Sequence, residues 1–134
     1  MKKALIVIPA RYKSSRFPGK PLVDINGKSM IQRVWELCSK IKLPVDVVVA
    51  TDDKRITEHC EEKKIKFCMT DSSHLTGTDR IAEVALKHKY EIYINVQGDE
   101  PFINLHDIES FIDTALSNKK KILNGMTKIV NKSE

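Results

Sequence analysis

The 134-residue sequence contains few of the residues that mark several protein classes, with 5 Gly, 5 Pro, 3 Cys and an aromatic fraction of 6%. Collagen-like and low-complexity chains need an excess of glycine and proline, so both classes are excluded. Cys38, Cys60 and Cys68 show no C-x-x-C spacing, and we expect reduced, mostly buried thiols rather than a zinc site or a disulfide framework. With 41% hydrophobic residues, the chain is expected to form one compact domain.

Long apolar runs are also missing. No segment approaches the roughly 18 apolar residues that a membrane-spanning helix needs. The apolar stretch near the N-terminus, Ala4–Ile8, is too short for the core of a signal peptide. Together with reduced cysteines, these absences predict a cytoplasmic protein that does not bind a membrane.

Positive charge is concentrated at the N-terminal end. The formal net charge is +5, and residues 1–30 carry seven Lys and Arg against the single acid Asp24, which leaves −1 for the other 104 residues. A groove for a polynucleotide usually spreads its cations over a face and interleaves aromatic residues, and neither feature is present. The local charge therefore indicates a small anionic ligand, with a solvated basic N-terminus as the alternative.

Apolar periodicity predicts an alternation of strands and helices. Strands buried on both faces are expected at Ala4–Ile8, Val45–Ala50, Ile65–Met69 and Glu91–Val96, with Gly125–Val130 as a candidate fifth. Helices are expected after four capping positions: Ser29, Thr51 or Asp52 (to about Lys63), Thr78 (Asp79–His88) and Asn104 (Leu105–Leu116). This alternation predicts an α/β fold over residues 1–134, with a mostly parallel sheet and helices on both faces.

The segment after the first strand, residues 9–22, is the strongest candidate for a ligand site. Ligands of open α/β sheets bind beyond the carboxyl ends of the strands, where this segment begins. Pro18-Gly19 and Pro21 restrict the backbone around Lys20, while Arg11 and Arg16 can each make two hydrogen bonds to phosphate oxygens. We therefore expect a polyphosphate ligand. A Walker A motif is excluded, because Leu22 stands where that motif requires glycine, and no G-x-G-x-x-G dinucleotide motif follows the strand.

Two further segments follow expected strand ends. Asp99 comes directly after a strand and a glycine, where its carboxylate could hold Mg²⁺ together with substrate phosphates, although a turn or capping role is the alternative. Arg80 stands in the first turn of a predicted helix, an unfavourable place for a cation, which indicates a paired or functional role. His74 is a weaker candidate for a catalytic base, since a single loop histidine is usually exposed and idle.

Together, the three segments resemble the 3-deoxy-manno-octulosonate cytidylyltransferases (CMP-Kdo synthetases), members of the sugar nucleotidyltransferases with a Rossmann-like fold. The matching residues are Ile8-Pro-Ala-Arg-Tyr12, Ser14, Arg16, Pro18-Gly-Lys-Pro-Leu22, Met69-Thr70, His74, Gly77-Thr-Asp-Arg80 and Asn95-Val-Gln-Gly-Asp-Glu-Pro101. CMP-sialic acid synthetases share the Pro-Ala-Arg start but typically have Lys-Asn where this chain has Gly19-Lys20-Pro21. That difference favours the Kdo branch.

The resemblance implies transfer of a cytidylyl group from CTP to the anomeric hydroxyl of 3-deoxy-manno-octulosonate, with release of pyrophosphate, for lipopolysaccharide biosynthesis. It further implies Mg²⁺ as cofactor and a homodimer for the full-length family. By the same resemblance, Lys20, Arg16 and Asp99 are the catalytic residues and Asp99 is the metal ligand. The residues implied to bind substrate are Pro9, Ala10, Arg11, Ser14, His74, Thr78, Arg80 and Gln97.

The resemblance covers nearly the whole chain but only the first part of the longer family architecture. In the family, the second half supplies a second metal-binding aspartate, much of the sugar pocket and most of the dimer contact. We therefore expect this chain to carry the half that binds CTP and Mg²⁺. A module that binds CTP without catalysis, or a synthetase of the CMP-sialic acid type, is the alternative.

Overall fold

The computed structural model of the chain describes residues 4–12, 18–71, 77–96, 104–118, 121–124 and 128–131. Its strands are β1 (Ala4–Pro9), β2 (Asp24–Ile25), β3 (Lys28–Ser29), β4 (Val45–Thr51), β5 (Phe67–Met69), β6 (Ile92–Asn95), β7 (Lys121–Asn124) and β8 (Lys128–Asn131). Its helices are α1 (Met30–Ser39), α2 (Lys54–Glu62), α3 (Gly77–Lys87) and α4 (Leu105–Asn118), with a 3₁₀ turn at Lys20–Leu22.

The main sheet has six strands in the order β5-β4-β1-β6-β7-β8. Neighbouring strands are parallel from β5 through β7, and β8 pairs antiparallel with β7. The chain builds β4 and β5 on one side of β1 and then crosses to β6 on its other side. This reversal is the switch point at which open α/β sheets bind ligands, and it lies between the carboxyl ends of β1 and β6.

Two apolar layers cover the sheet, one on each face. Alternate residues of β1 point to opposite faces, so that Ala4, Ile6 and Ile8 join one cluster while Leu5 and Val7 join the other. Helices α1, α2 and α4 contribute to the first cluster, and α3 contributes to the second, through the buried residues Ile31, Val34, Ile56, Ile108, Ile112, Ile81 and Val84. The predicted α/β fold with helices on both faces is therefore confirmed.

The helix caps were predicted with mixed success. Ser29 caps α1 by accepting a hydrogen bond from the backbone N–H of Gln32 at 3.2 Å, and Asn104 caps α4 in the same manner, as expected. The cap of α2 is Asp53, whose side chain accepts from the N–H of Arg55 at 2.8 Å, so the prediction of Thr51 or Asp52 was wrong. Thr51 cannot serve as the cap because it is still part of β4.

Other boundaries also differ from prediction. Helix α3 begins at Gly77, which places Thr78 inside the helix instead of at its cap. Only residues 128–130 of the candidate strand Gly125–Val130 lie in a strand, β8, and residues 125–127 lie outside the described part. Strand β7 was missed, because Ile122-Leu123 between polar neighbours is too short an apolar run to recognise.

A tight hairpin, β2–β3, leads into α1. Asn26 and Gly27 form its turn with φ angles of 53° and 93°, the left-handed conformations that Asn-Gly supplies most readily. The prediction that Asn26-Gly27 marks a turn is confirmed. None of the described helices is long and apolar enough to cross a membrane.

His59 links α2 to the start of α1. Its Nε2 lies 2.6 Å from the Ser29 hydroxyl, and that oxygen already accepts the N–H of Gln32. The hydroxyl hydrogen can donate to Nε2 of a neutral imidazole while the oxygen accepts from Gln32. Burial of the ring lowers the pKa of His59 below its ordinary value of 6.5.

This arrangement predicts a pH-dependent contribution to stability. The unfolded chain binds the proton of His59 more readily than the folded one, so the contribution is present above about pH 6.5 and is lost as pH falls toward the lower folded pKa. Urea unfolding from about pH 5 to 8 should show a shallower pH slope for His59→Gln than for wild type. The exposed His106→Gln is the control and should leave the slope unchanged; equal slopes for His59→Gln and wild type would contradict the assignment.

Candidate functional site

Backbone hydrogen bonds extend the sheet past the carboxyl ends of its strands. The N–H of Ala10 donates to the carbonyl of Ala50 at 2.9 Å, and the N–H of Thr70 donates to that of Thr51 at 2.9 Å. Ala10, Ala50, Thr51 and Thr70 are all buried. This edge is therefore a rigid frame, and residues placed on it lose little freedom when a ligand binds.

Arg80 is the most unusual side chain at this edge, since it is fully buried. From the first turn of α3 its Nη1 donates to Thr70 Oγ1 and to the carbonyl of Asp71 at 3.4 Å. Its Nη2 lies 3.7 Å from Oδ2 of Asp52, just beyond the end of β4. The paired role predicted for Arg80 is confirmed.

The pairing leaves part of the guanidinium unsatisfied. Neither Nε nor Nη2 of Arg80 has a hydrogen-bond acceptor among the residues that the structure describes. A buried donor without an acceptor costs about 1–3 kcal/mol, and more when it is charged. Such groups are rare in folded proteins, and each needs an explanation. An acceptor on a bound ligand would satisfy both nitrogens.

We call residues 9–22 the basic segment. The two ends of this segment that the structure describes meet close to the edge of the sheet that carries Arg80. Gly19, in the left-handed conformation with φ 76°, donates its N–H to the carbonyl of Tyr12 at 2.6 Å. Arg11 and Lys20 each adjoin one of these two bonded residues, so the bond brings two predicted phosphate ligands together. Pro21 is buried and stands second in the 3₁₀ turn. Lys20 therefore lies in a helical turn, although a following proline was expected to disfavour the helical region for it.

Gly19 is required both by its conformation and by its close neighbour. A Cβ at this position would lie 3.1 Å from Cε2 of Tyr12, and the left-handed conformation costs other residues about 1–2 kcal/mol.

Gly19→Ala should therefore lower the free energy of unfolding by more than Gly27→Ala. At Gly27 the φ angle is 93° but no atom lies within 4 Å of an added Cβ. Comparing the urea unfolding of the two variants isolates the contribution of the contact with the Tyr12 ring. Equal losses of unfolding free energy would show that the Tyr12 ring moves away without cost.

The Tyr12 ring also contacts a cation. The Arg55 guanidinium carbon lies 3.2 Å from the ring centroid. Its Nε and Nη2 donate to the two carboxylate oxygens of Asp53, at 3.1 and 2.8 Å. These hydrogen bonds hold the pKa of Asp53 below its ordinary value and raise that of Arg55.

The structure tests the predicted site residues only in part. Pro9 and Ala10 are buried at the end of β1, Arg11 is exposed and Lys20 is half-buried. Thr78 lies in α3, with its side chain outside the described part. The others, Ser14, Arg16, His74, Gln97 and Asp99, fall wholly outside the described residues. Within the described ranges, no group of three His, Cys, Asp or Glu side chains could hold a metal ion.

Sequence reasoning missed three contributors at this edge: Asp52, Thr70 and Arg55. The positions of Asp52 and Thr70 after predicted strands were a usable signal, since both strands end at this edge. Arg55 stands in the first turn of a predicted helix, as Arg80 does, but its contact with Tyr12 joins segments far apart in sequence and could not be foreseen.

A mostly parallel sheet with a buried arginine and a basic segment at the carboxyl ends of its strands points to an α/β nucleotidyltransferase fold. A nucleotidyl transferase from Methanothermobacter thermautotroptrophicus superposes with a TM-score of 0.66 over 83% of this chain and 57% of its own, at 15% identity, which supports the fold alone. The family model for cytidylyltransferases matches residues 5–134. The chain belongs to the cytidylyltransferase family.

Two relatives are much more similar. The 3-deoxy-manno-octulosonate cytidylyltransferase of Escherichia coli is 51% identical over 112 residues, which is 84% of this chain and 46% of that protein. The structure of a CMP:2-keto-3-deoxy-manno-octonic acid synthetase complexed with CTP superposes with a TM-score of 0.84 at 48% identity, over 87% of this chain and 48% of that one. The resemblance inferred from the motifs is confirmed, and the chain spans about half the length of the relatives it matches.

Proposed function

We propose that this chain forms the CTP-binding half of an enzyme that transfers a cytidylyl group from CTP to 3-deoxy-manno-octulosonate, with release of pyrophosphate. The observation that carries the proposal is the buried Arg80, whose Nε and Nη2 lack acceptors among the described residues. It lies at the ligand-binding edge of a chain 51% identical to a 3-deoxy-manno-octulosonate cytidylyltransferase. A cytidine offers carbonyl and ring-nitrogen acceptors to such a guanidinium, beside the Pro9-Ala10 backbone.

The basic segment supports the second part of the proposal, binding of the triphosphate. Lys20 is held by a rigid turn and Arg11 lies next to the Tyr12–Gly19 bond, and Arg16 belongs to the same segment of sequence. Cations held in place before the ligand arrives stabilise the charge that develops on the phosphates as pyrophosphate leaves. Gln97 is proposed to lie near the α-phosphate, and Ser14, His74 and Thr78 to contact substrate.

The reaction is proposed as an in-line attack by the sugar anomeric hydroxyl on the α-phosphorus of CTP. The bond from that phosphorus to the bridging oxygen breaks, the pair of electrons leaves with pyrophosphate, and the hydroxyl proton is released to solvent. The protein contributes orientation and charge, since phosphoryl transfer needs little covalent help.

Mg²⁺ is proposed as the cofactor, with Asp99 as a ligand. Asp99 follows β6 by four positions in the sequence, and β6 pairs with β1 on the side opposite β4. A divalent ion held there would neutralise part of the charge of the substrate phosphates. Mg²⁺ usually needs only one or two carboxylates besides such phosphates, so Asp99 is a sufficient protein ligand for the proposal.

Binding of CTP by this chain tests the proposal. Calorimetric titration in Mg²⁺ should show CTP binding more tightly than UTP, because the two bases differ in the groups that Arg80 and the β1 edge would contact. Asp99→Asn should remove the dependence of CTP binding on Mg²⁺ without changing the unfolding transition. Failure to bind CTP at millimolar concentration would overturn the proposal for this chain.

Turnover tests the acceptor. Pyrophosphate release from CTP should require 3-deoxy-manno-octulosonate, and activity with sialic acid but not with the octulosonate would assign the chain to the other branch of synthetases. The second candidate is a module that binds CTP without catalysis. CTP binding without turnover would support it. A cytoplasmic location and a homodimer remain part of the proposal, and sedimentation would test the dimer.

A further inference from the structure

Residues from two distant parts of the sequence meet around the Tyr12 ring at the base of the basic segment. The Arg55 guanidinium carbon lies 3.2 Å from the ring centroid, and a Cβ at Gly19 would lie 3.1 Å from Cε2 of the ring. Asp53 holds the guanidinium along its edge. We name Tyr12, Gly19, Arg55 and Asp53 the Tyr12 clasp. It joins the segment that follows β1 to the first turn of α2.

The clasp fixes where the basic segment leaves and rejoins the fold. The N–H of Gly19 donates to the carbonyl of Tyr12, which closes the stretch of chain between them. The same two residues are in contact through the ring. Because Arg11 precedes this closure and Lys20 follows it, the separation of the two cations depends on the clasp staying closed.

Arg55 is placed to hold the ring and not to bind phosphate. The edge that carries Nε and Nη2 is occupied by the two Asp53 oxygens, and its face lies on Tyr12. Asp53 is itself fixed, since Oδ1 also accepts the N–H of Arg55 as the cap of α2. The Asp53 carboxylate thus orients the Arg55 guanidinium and offsets its charge. The remaining effect of Arg55 is to orient the Tyr12 ring.

We propose that Arg55 is a positioning residue for the nucleotide site: held by Asp53, it packs on the Tyr12 ring and fixes the ring beside Gly19, which sets the geometry of Arg11 and Lys20 toward the CTP phosphates. The role rests on the proposed function. Ordering these cations in advance reduces the entropy that is lost when the triphosphate binds. Arg55 acts on the ligand only through Tyr12 and Gly19.

Hydrogen exchange at the Gly19 amide tests the clasp without any ligand. In ¹⁵N-labelled protein, Arg55→Gln and Tyr12→Leu should each speed exchange at Gly19 by about two- to fivefold, the range of a partly exposed cation–π contact. Tyr12→Phe keeps the ring and should exchange as wild type does. Lys54→Gln removes an equal charge one residue earlier and is the matched control. Unchanged exchange at Gly19 in Arg55→Gln would overturn the clasp.

Nucleotide affinity tests the positioning role. In Arg55→Gln the ratio of the CMP to the CTP dissociation constant should fall about two- to fivefold, because only CTP carries the phosphates that the ordered cations would meet. Arg55→Lys should behave in the same manner, since an ammonium cannot bridge both Asp53 oxygens while lying flat on a ring. Full rescue by lysine would assign the effect to charge alone and overturn the proposal. So would an unchanged ratio combined with faster exchange at Gly19, which would leave the clasp a purely structural role.

Failure of the proposed function gives a different pattern. If the wild-type chain does not bind CTP, the proposed function and the role of Arg55 fall together, while the exchange of Gly19 still reports whether the clasp exists. If wild type binds CTP and Arg55→Gln matches it in both measurements, only the inference about Arg55 is overturned.

Discussion

Arg80→Met should weaken CTP binding by at least tenfold while leaving the free energy of unfolding within about 1 kcal/mol of wild type. The loss of affinity follows from removing two donors for the ligand, since one hydrogen bond to a charged group contributes about 1.5–3 kcal/mol. Stability changes little because two opposite effects offset each other. Methionine removes two buried nitrogens that have no acceptor among the described residues, and it also removes the bond to Thr70 and the ion pair with Asp52. Asp52 is 22% exposed, so its carboxylate can be hydrated once the pair is broken.

Arg33→Met provides the inverse control. The Arg33 guanidinium bonds the carbonyls of Ile25 and Asn26, so this residue has acceptors that Nε and Nη2 of Arg80 lack. Its removal should cost stability and leave CTP affinity unchanged. Calorimetry and urea unfolding of both variants complete the comparison. A loss of about 3 kcal/mol or more in Arg80→Met would show that the buried arginine serves the fold, as expected when one partner of a buried pair is removed.

Lys20→Ala should weaken CTP binding by about 1.5–3 kcal/mol, which is roughly 10- to 150-fold. Lys20 is half-buried at the start of a rigid turn, so little of its contribution is spent on ordering the backbone. The effect should be much smaller for CMP, which lacks the β- and γ-phosphates. Lys28→Ala is the matched control, because Lys28 is exposed and pairs with Glu36 at 2.7 Å. A change of only a few tenths of a kcal/mol in Lys20→Ala would remove this residue from the phosphate site.

Much of the fold could be predicted from the sequence, because its central strands carry a strong local signal. Ala4–Ile8 is a continuous apolar run and Val45–Ala50 is interrupted only by Asp46. Both lie in central strands of the sheet, β1 buried throughout and β4 buried from Val48 onward. Ser29 and Asn104 were recognisable caps because each stands directly before an apolar helical pattern. The choice among Thr51, Asp52 and Asp53 was beyond local reasoning, since all three are good capping residues and the end of β4 decides between them.

The candidate site was predictable as a location and less so as a set of contacts. Arg80 was singled out because a cation in the first turn of a helix opposes the helix dipole. Its pairing with Asp52 confirms that reasoning, although the partner was not foreseen. Arg55 stands in the same unfavourable place in α2 and drew no attention, since its carboxylate lies two residues away and its ring comes from a different segment. Contacts of that kind depend on how the helices are placed on the sheet.

The unequal burial of the three cysteines has a practical consequence. Cys38 and Cys60 lie in the apolar layer of α1 and α2, where burial raises their thiol pKa values to about 12 and about 11. Thiol reagents attack the thiolate, so both are inert in the folded protein near neutral pH. Cys68 is half-buried in β5, two residues before the Thr70 that bonds Arg80. A fluorophore attached to Cys68 would therefore report on the edge of the sheet that is proposed to bind the nucleotide. No cysteine would have to be added or removed.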